Sequence, residues 1–192
     1  MNCSNGTMDE FKKLLESMAG EHLHNYAIAG LRSSLFTDGT VRLFHQLTHP
    51  MSMIAPHSHR YDIASLVISG EVMNTIWTKT HDYSSSVQLF CESTLQYSGK
   101  PGQYTKEYHG DGRYNFKTES YKPGDLYFMT SDVVHSIKFA RGTRVMIFQG
   151  PTVADSNLVI DPYLPDGRVV PTSDIQDWMF QGSKHSVKIE EE

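Results

Sequence analysis

The sequence predicts an all-β barrel or sandwich with a helix before it and an irregular extension after it. Two observations carry this. Between about residues 40 and 150, apolar residues recur at alternate positions or form short β-branched runs. Turn signals such as Ser69-Gly70, Pro123-Gly124-Asp125 and Arg141-Gly142 separate those runs. A chain of 192 residues favours one domain and needs no disulfide or zinc to fold. The expected layout is helical decoration over 1–39, the barrel over 40–150, and a C-terminal extension with an acidic tail over 151–192.

The first element is a helix. Thr7 is a good N-cap and Glu10 completes a capping box. Met8, Phe11, Leu15 and Met18 recur at helical spacing, and Gly20 stops the run. A second, short helical stretch is expected around Tyr26–Leu35. Strand spacing then begins: Val41, Leu43, His45 and Leu47 alternate with Arg42, Phe44, Gln46 and Thr48. Ser65–Thr80 reads as two strands around Ser69-Gly70, and Val87–Tyr97 as another. Residues 98–118 hold four glycines and read as a long loop or irregular hairpin. Leu126–Met129, Val133–Ala140 and Thr143–Gln149 are further strands. Alternation pairs Tyr127 with Met129 and Leu126 with Phe128, leaving open which pair faces inward. Asp174–Phe180 reads as a helical turn packing Trp178 and Phe180, and 183–192 as a fraying tail.

Composition excludes several classes of function. A net charge of −5 lacks the basic footprint of a nucleic-acid binder. No apolar run approaches the roughly 18 residues of a membrane span. Neither a signal peptide nor a disulfide framework is visible; Cys3 and Cys91 fit a reducing, cytoplasmic compartment. Cys91 reads as a small buried apolar residue. No phosphate loop or nucleophile elbow is present.

Ten histidines are the unusual count. The sharpest signal is Pro56-His57-Ser58-His59. Two histidines at i, i+2 on a strand share a face, so both imidazoles can meet one ion. If the strand runs on unbroken, His57, His59, Tyr61, Ile63, Ser65 and Val67 share that face. His135 shares a face with Ile137 and Phe139, while Ser136 and Lys138 point away. Tyr61 and Ser65 are candidate pocket residues. His45 lies on the Val41/Leu43 face and is a further candidate. His22, His24, His49, His81, His109 and His185 read as surface residues.

The pair of motifs, His57-Ser58-His59 on a strand closed by Gly70 and Pro123-Gly124-Asp125 followed by His135, resembles the cupin superfamily. The resemblance covers roughly residues 40–150. It implies a jelly-roll barrel with His57, His59 and His135 as ligands of a divalent metal. Many cupins add a glutamate ligand on the strand after the histidine pair; Ile63 stands there, and Asp62, one earlier, points away. Three histidines without a carboxylate resemble the cysteine dioxygenase-like thiol dioxygenases. That likeness implies Fe(II) with open positions for an anionic substrate and O2, although Zn, Ni or Mn also suit three nitrogens. It implies Arg32 as a clamp for a substrate carboxylate, so that Arg32 and Tyr61 become the candidate catalytic residues. The family's Ser-His-Tyr relay is absent; the matching stretch reads Arg144-Val145-Met146-Ile147-Phe148. The resemblance further implies a homodimer formed through a sheet edge.

The resulting expectation is an Fe(II) dioxygenase acting on a small organic acid, thiol-containing or not. The alternatives are an isomerase or lyase using the metal as a Lewis acid, and a non-catalytic small-molecule-binding cupin. A 2-oxoglutarate oxygenase is a lesser alternative. Arg144, nine residues after His135, has the spacing of a co-substrate arginine in such enzymes, but their triad needs His-x-Asp, and Asp62 stands three after His59.

Overall fold

The computed structural model describes residues 23–25, 31–36, 40–46, 51–84, 87–97 and 104–163. The expected N-terminal helix at 7–20, the turn at Asp174–Phe180 and the acidic tail lie outside them. The described residues form no helix. In chain order the strands are β1 (Leu23–Asn25), β2 (Leu31–Phe36), β3 (Val41–Gln46), β4 (Met51–His57), β5 (Tyr61–Ser69), β6 (Val72–Thr80), β7 (Gln88–Tyr97), β8 (Tyr104–Tyr121), β9 (Leu126–Met129), β10 (Val134–Ala140), β11 (Arg144–Thr152) and β12 (Ser156–Pro162).

One sheet is open, in the order β1-β2-β3-β11-β5-β9. The other closes into a ring, β10-β4-β12-β7-β8-β6. From β3 onward the chain crosses between sheets at each connection, apart from the β6–β7–β8 excursion within the ring. This winding brings β4 and β10, far apart in sequence, side by side. The crossing from β5 to β6 turns on Gly70, whose φ of +77° favours glycine. A Cβ there would also lie 2.4 Å from Thr143 Oγ1.

Two apolar compartments result, and β10 belongs to both. Ile137 and Phe139 pack between the sheets with Ile63, Val67, Val145 and Ile147. Val134 faces the ring's interior with Phe90, Tyr114 and Ile160. Ser136 on that second face accepts a hydrogen bond from Trp77 Nε1 at 3.0 Å. The expected parity of β10 therefore holds, but its other face meets a second core instead of water. On β9, Tyr127 and Met129 point inward at 6% and 5% exposure, while Leu126 and Phe128 are 67% and 64% exposed.

Two expectations for the described residues are corrected. The stretch expected to be helical around Tyr26–Leu35 contains β2, which pairs with β3 from Leu31 to Phe36; tertiary pairing overrides weak helical periodicity. Most of the stretch at 98–118, read as a long loop or irregular hairpin, belongs to β8, an 18-residue strand that forms a bulged antiparallel pair with β7, so the loop reading is corrected and the hairpin reading holds. Its glycines serve the strand. The register slips beside Gly110, where Glu92 pairs with Gly110 and Ser93 with Tyr108, leaving His109 in a bulge. A Cβ on Gly112 would fall 1.7 Å from Glu92 Oε1, so glycine there makes room for that carboxylate. Strand pairing also runs past residue 150, because β12 joins β4 and β7.

Candidate metal centre

His57 ends β4 and lies opposite His135 on β10 in the strand register. His59 sits in the short connection to β5. That connection is fixed on three sides. Ser58 N donates to Leu158 O, and Ser58 Oγ accepts from Leu158 N, both at 2.8 Å. His59 N donates to Ser131 O at 2.9 Å. Val153 N and Ala154 N both donate to Arg60 O. The break after His57 therefore does not release His59 from the face it would occupy on a continuous strand. The three rings form a near-equilateral triangle, with centroid separations of 4.7, 5.0 and 5.0 Å.

One nitrogen from each ring lies within 4.8 Å of the others, and these three side chains form the metal-capable group among the described residues. His59 Nε2 and His135 Nε2 are 2.8 Å apart. Two imidazole nitrogens on one ion at about 2.1 Å are separated by roughly 3 Å or slightly more, so an ion enters with small side-chain adjustments. His135 is oriented from behind: its Nδ1 donates to Asn74 Oδ1 at 2.7 Å, and Asn74 Nδ2 donates to Met129 Sδ at 3.2 Å. That contact places the proton on Nδ1 and leaves the Nε2 lone pair for a ligand.

The electrostatics agree with a metal-binding role. Burial, then the neighbouring His57 and Arg42, lower His59 to about 3. Burial, then His57 and His59, hold His135 well below the usual imidazole range. Both are neutral near pH 7, the form in which imidazole binds a metal. The three-nitrogen set fits a divalent cation and selects no particular one. Bound there, such an ion would supply Lewis acidity and, if redox-active, O2 chemistry.

The other candidates separate by face. Tyr61 is adjacent to the cluster, its ring 5.7 Å from that of His59, and its hydroxyl accepts from Gln149 Nε2 at 2.7 Å. Ile63 and Ser65 face the same compartment, and Ile63 fills apolar space where a carboxylate would have stood. Asp62 points away, its Oδ1 accepting from Ser131 N at 2.8 Å, so it supports the loop and does not join the cluster. His45 and Arg144 sit opposite each other in register, but on the wrong face for the pocket. They alternate with Phe44 and Val145, which pack between the sheets, and share a face with Leu43 and Met146, which pack outside. Arg32 lies opposite His45 on β2, a strand separated from β5 by β3 and β11.

Sequence reasoning missed Asn74, Gln149 and Arg42. Alternation on β3 was legible, but both of its faces are buried, Leu43 and Phe44 at 6% each. The more apolar face was therefore no guide to the cavity, and Arg42, on the Phe44 face, is the one turned toward it.

Strand order and histidine cluster together define a two-sheet β-barrel protein with a candidate divalent-metal centre. No protein-family model matches the sequence, and no curated protein matches it. Solved structures similar to it are cupins and RmlC-like proteins. They include the CENP-C cupin domain of Drosophila melanogaster, at 12% identity and a TM-score of 0.39 over 77% of this chain and all of that one. An RmlC-like cupin from Shewanella frigidimarina matches at 14% identity and 0.37, over 69% and 87%. An acetylacetone dioxygenase from Acinetobacter johnsonii matches at 13% and 0.38, over 79% and 78%. At such scores neither the chemistry nor the partners of these proteins transfer to this chain. Among the described residues no helix is long and apolar enough to cross a membrane.

Proposed function

We propose that this protein is a mononuclear non-haem Fe(II) dioxygenase acting on a small organic acid. The observation that carries the reading is the ligand set: three imidazoles converge in a half-dry compartment, and the residue where a fourth, anionic ligand would stand is the buried Ile63. Three neutral ligands leave a divalent ion its full charge and open coordination positions, which suits an anionic substrate together with O2. Tyr61, held by Gln149 beside His59, is placed to contact a substrate bound there. Asp62 is engaged with Ser131, which argues against the carboxylate-containing triad of a 2-oxoglutarate enzyme. A thiol substrate has less support than a simple acid, because the inward positions of β11 are Val145, Ile147 and Gln149, without the hydroxyl and imidazole of a relay.

The test is metal analysis of protein purified without chelator, followed by oxygen uptake on the iron-loaded protein. The substrate panel spans small carboxylates, cysteine, 3-mercaptopropionate and 2-oxoglutarate. Iron-dependent uptake with at least one acid is expected. Metal occupancy without any uptake would move the reading to Lewis-acid chemistry, and absence of bound metal would sink both.

A further inference from the structure

Core packing and strict alternation disagree on β4, and the disagreement falls beside a histidine of the cluster. Ile54 lies opposite Ile137 and packs with it between the sheets. Strict alternation from Ile54 would turn Pro56 to that side and His57 to the opposite one. His57 nevertheless stands opposite His135, their rings 5.0 Å apart. The strand carries one residue too many. Ala55 and Pro56 separate Ile54 from His57, whereas Ser136 alone separates Ile137 from His135. Over the same residues the register of β10 against β6 runs without a slip. The extra residue therefore belongs to β4, and this β-bulge inverts the strand's parity between its core half and its ligand end.

Backbone chemistry locates the cause at Pro56. A proline has no N–H to give to a ladder, and within a sheet it is confined to edges, strand starts and bulges. β4 is not an edge, since it lies between β10 and β12, and Pro56 is buried near the strand's end. Both ladders change beside this residue: the register against β10 slips, and β4 meets β12 at His57, one residue further on. An N–H at position 56 would permit an unbroken ladder. With Ile54 held in the core, that ladder turns His57 away from His59 and His135.

We propose that Pro56 is a positioning residue for the metal centre: it enforces the bulge that turns His57 to the side of His59 and His135. This rests on the reading of the three histidines as a metal centre. The test compares Pro56→Val with a second variant that joins Pro56→Val to deletion of Ala55. The deletion removes the extra residue, so an unbroken ladder again places His57 beside His135. Two measurements are made on the full chain: nuclear Overhauser effects between the His57 and His135 rings in metal-free protein, and Co(II) affinity with the visible spectrum of the bound ion. Wild type shows the ring-to-ring effect. Pro56→Val loses most of it and binds Co(II) on the order of tenfold or more weakly, because affinity falls with the fraction of molecules in the competent register. The deletion variant regains the effect, the affinity and the spectrum, which a merely structural role for the proline would not produce. Overturning results are a wild type without the ring-to-ring effect, an unchanged Pro56→Val, or no recovery in the deletion variant. If Pro56→Val does not fold, the deletion variant decides by the same two readouts. If wild type takes up no Co(II), the metal reading falls instead, and the ring-to-ring effects alone decide the role of Pro56.

Discussion

Inside the ring, Glu92 receives Lys79 Nζ at 2.7 and 2.8 Å and the Tyr114 hydroxyl at 2.8 Å. Between the sheets, on the far side of β10, three imidazoles converge with two of their nitrogens 2.8 Å apart, and the hydroxyls of Ser65 and Tyr127 lie across from each other without good hydrogen-bond geometry. Both compartments enclose polar groups in apolar walls, yet only the first pairs opposite charges; the second sets three like imidazoles side by side. Burial and the adjacent Glu92 push the Tyr114 phenol well up, so it stays a donor and the network is complete. A complete network stabilises a fold unaided; an incomplete one costs stability that a ligand can return. The contrast singles out the inter-sheet compartment as the candidate site.

The largest break in this contrast is removal of a ligand. His135→Ala is expected to lower divalent-metal affinity by more than about 100-fold, since changing only a residue that holds a ligand in place typically costs about 10–100-fold. Glu92→Gln is expected to leave metal affinity within about twofold while lowering the unfolding free energy by about 1–3 kcal/mol. Competition with a chromogenic chelator and a denaturant midpoint give the two readouts. Full occupancy in His135→Ala would remove it from the ligand set.

A smaller effect comes from behind the ligand. Asn74→Leu removes the acceptor that holds His135 Nδ1 and is expected to weaken metal binding by about 10–100-fold. Asn74→Asp keeps an acceptor and adds charge, and should bind at least as tightly as wild type. Equal loss in both variants would mean that Asn74 matters only for packing.

Acid provides a third probe, of the metal-free protein. Unfolded imidazoles protonate near pH 6.5, whereas His59 does so only at about 3 and His135 is also well depressed. Between these values the unfolded state binds more protons, so stability falls as pH drops below about 6.5. The slope is at most about 1.4 kcal/mol per pH unit for each histidine. Denaturant midpoints of metal-free protein at pH 7.5, 6.5 and 5.5 measure it. The slope should flatten in a His59→Gln, His135→Gln double variant, and a slope unchanged there would place the acid sensitivity elsewhere.

How much of this was legible in the sequence follows from the range over which each feature is encoded. His57 and His59 announce themselves because a period of two is local, and β9 and β10 because turns and β-branched runs bound them. Arg42 was legible as a residue but not as a pocket residue: deciding which face of β3 turns inward needs the β3–β11–β5 register, which no local pattern carries. Asn74 meets His135 across 61 residues and Ser131 meets Asp62 across 69, each as a single polar side chain without a motif. In β8, glycine normally signals a turn, whereas Gly112 answers to a carboxylate on the neighbouring strand. Long-range packing set these positions, and the sequence records only its result.

The smallest expected effect is also the sharpest on the contrast between compartments, because it is a difference of sign. Ser65 is fully buried, and its hydroxyl lies across from that of Tyr127 without good hydrogen-bond geometry, so Ser65→Ala removes a poorly paired hydroxyl and loses little packing. It should leave stability unchanged or raise it by up to about 1 kcal/mol. Tyr114→Phe deletes a hydroxyl that donates to Glu92 and should lower stability by about 1 kcal/mol, since Lys79 still serves the carboxylate. Measured side by side in metal-free protein, the two deletions of one oxygen atom should move the denaturant midpoint in opposite directions. Destabilisation by both would mean that the hydroxyl of Ser65 already serves the fold, and that the inter-sheet compartment keeps no polar group in reserve for a ligand.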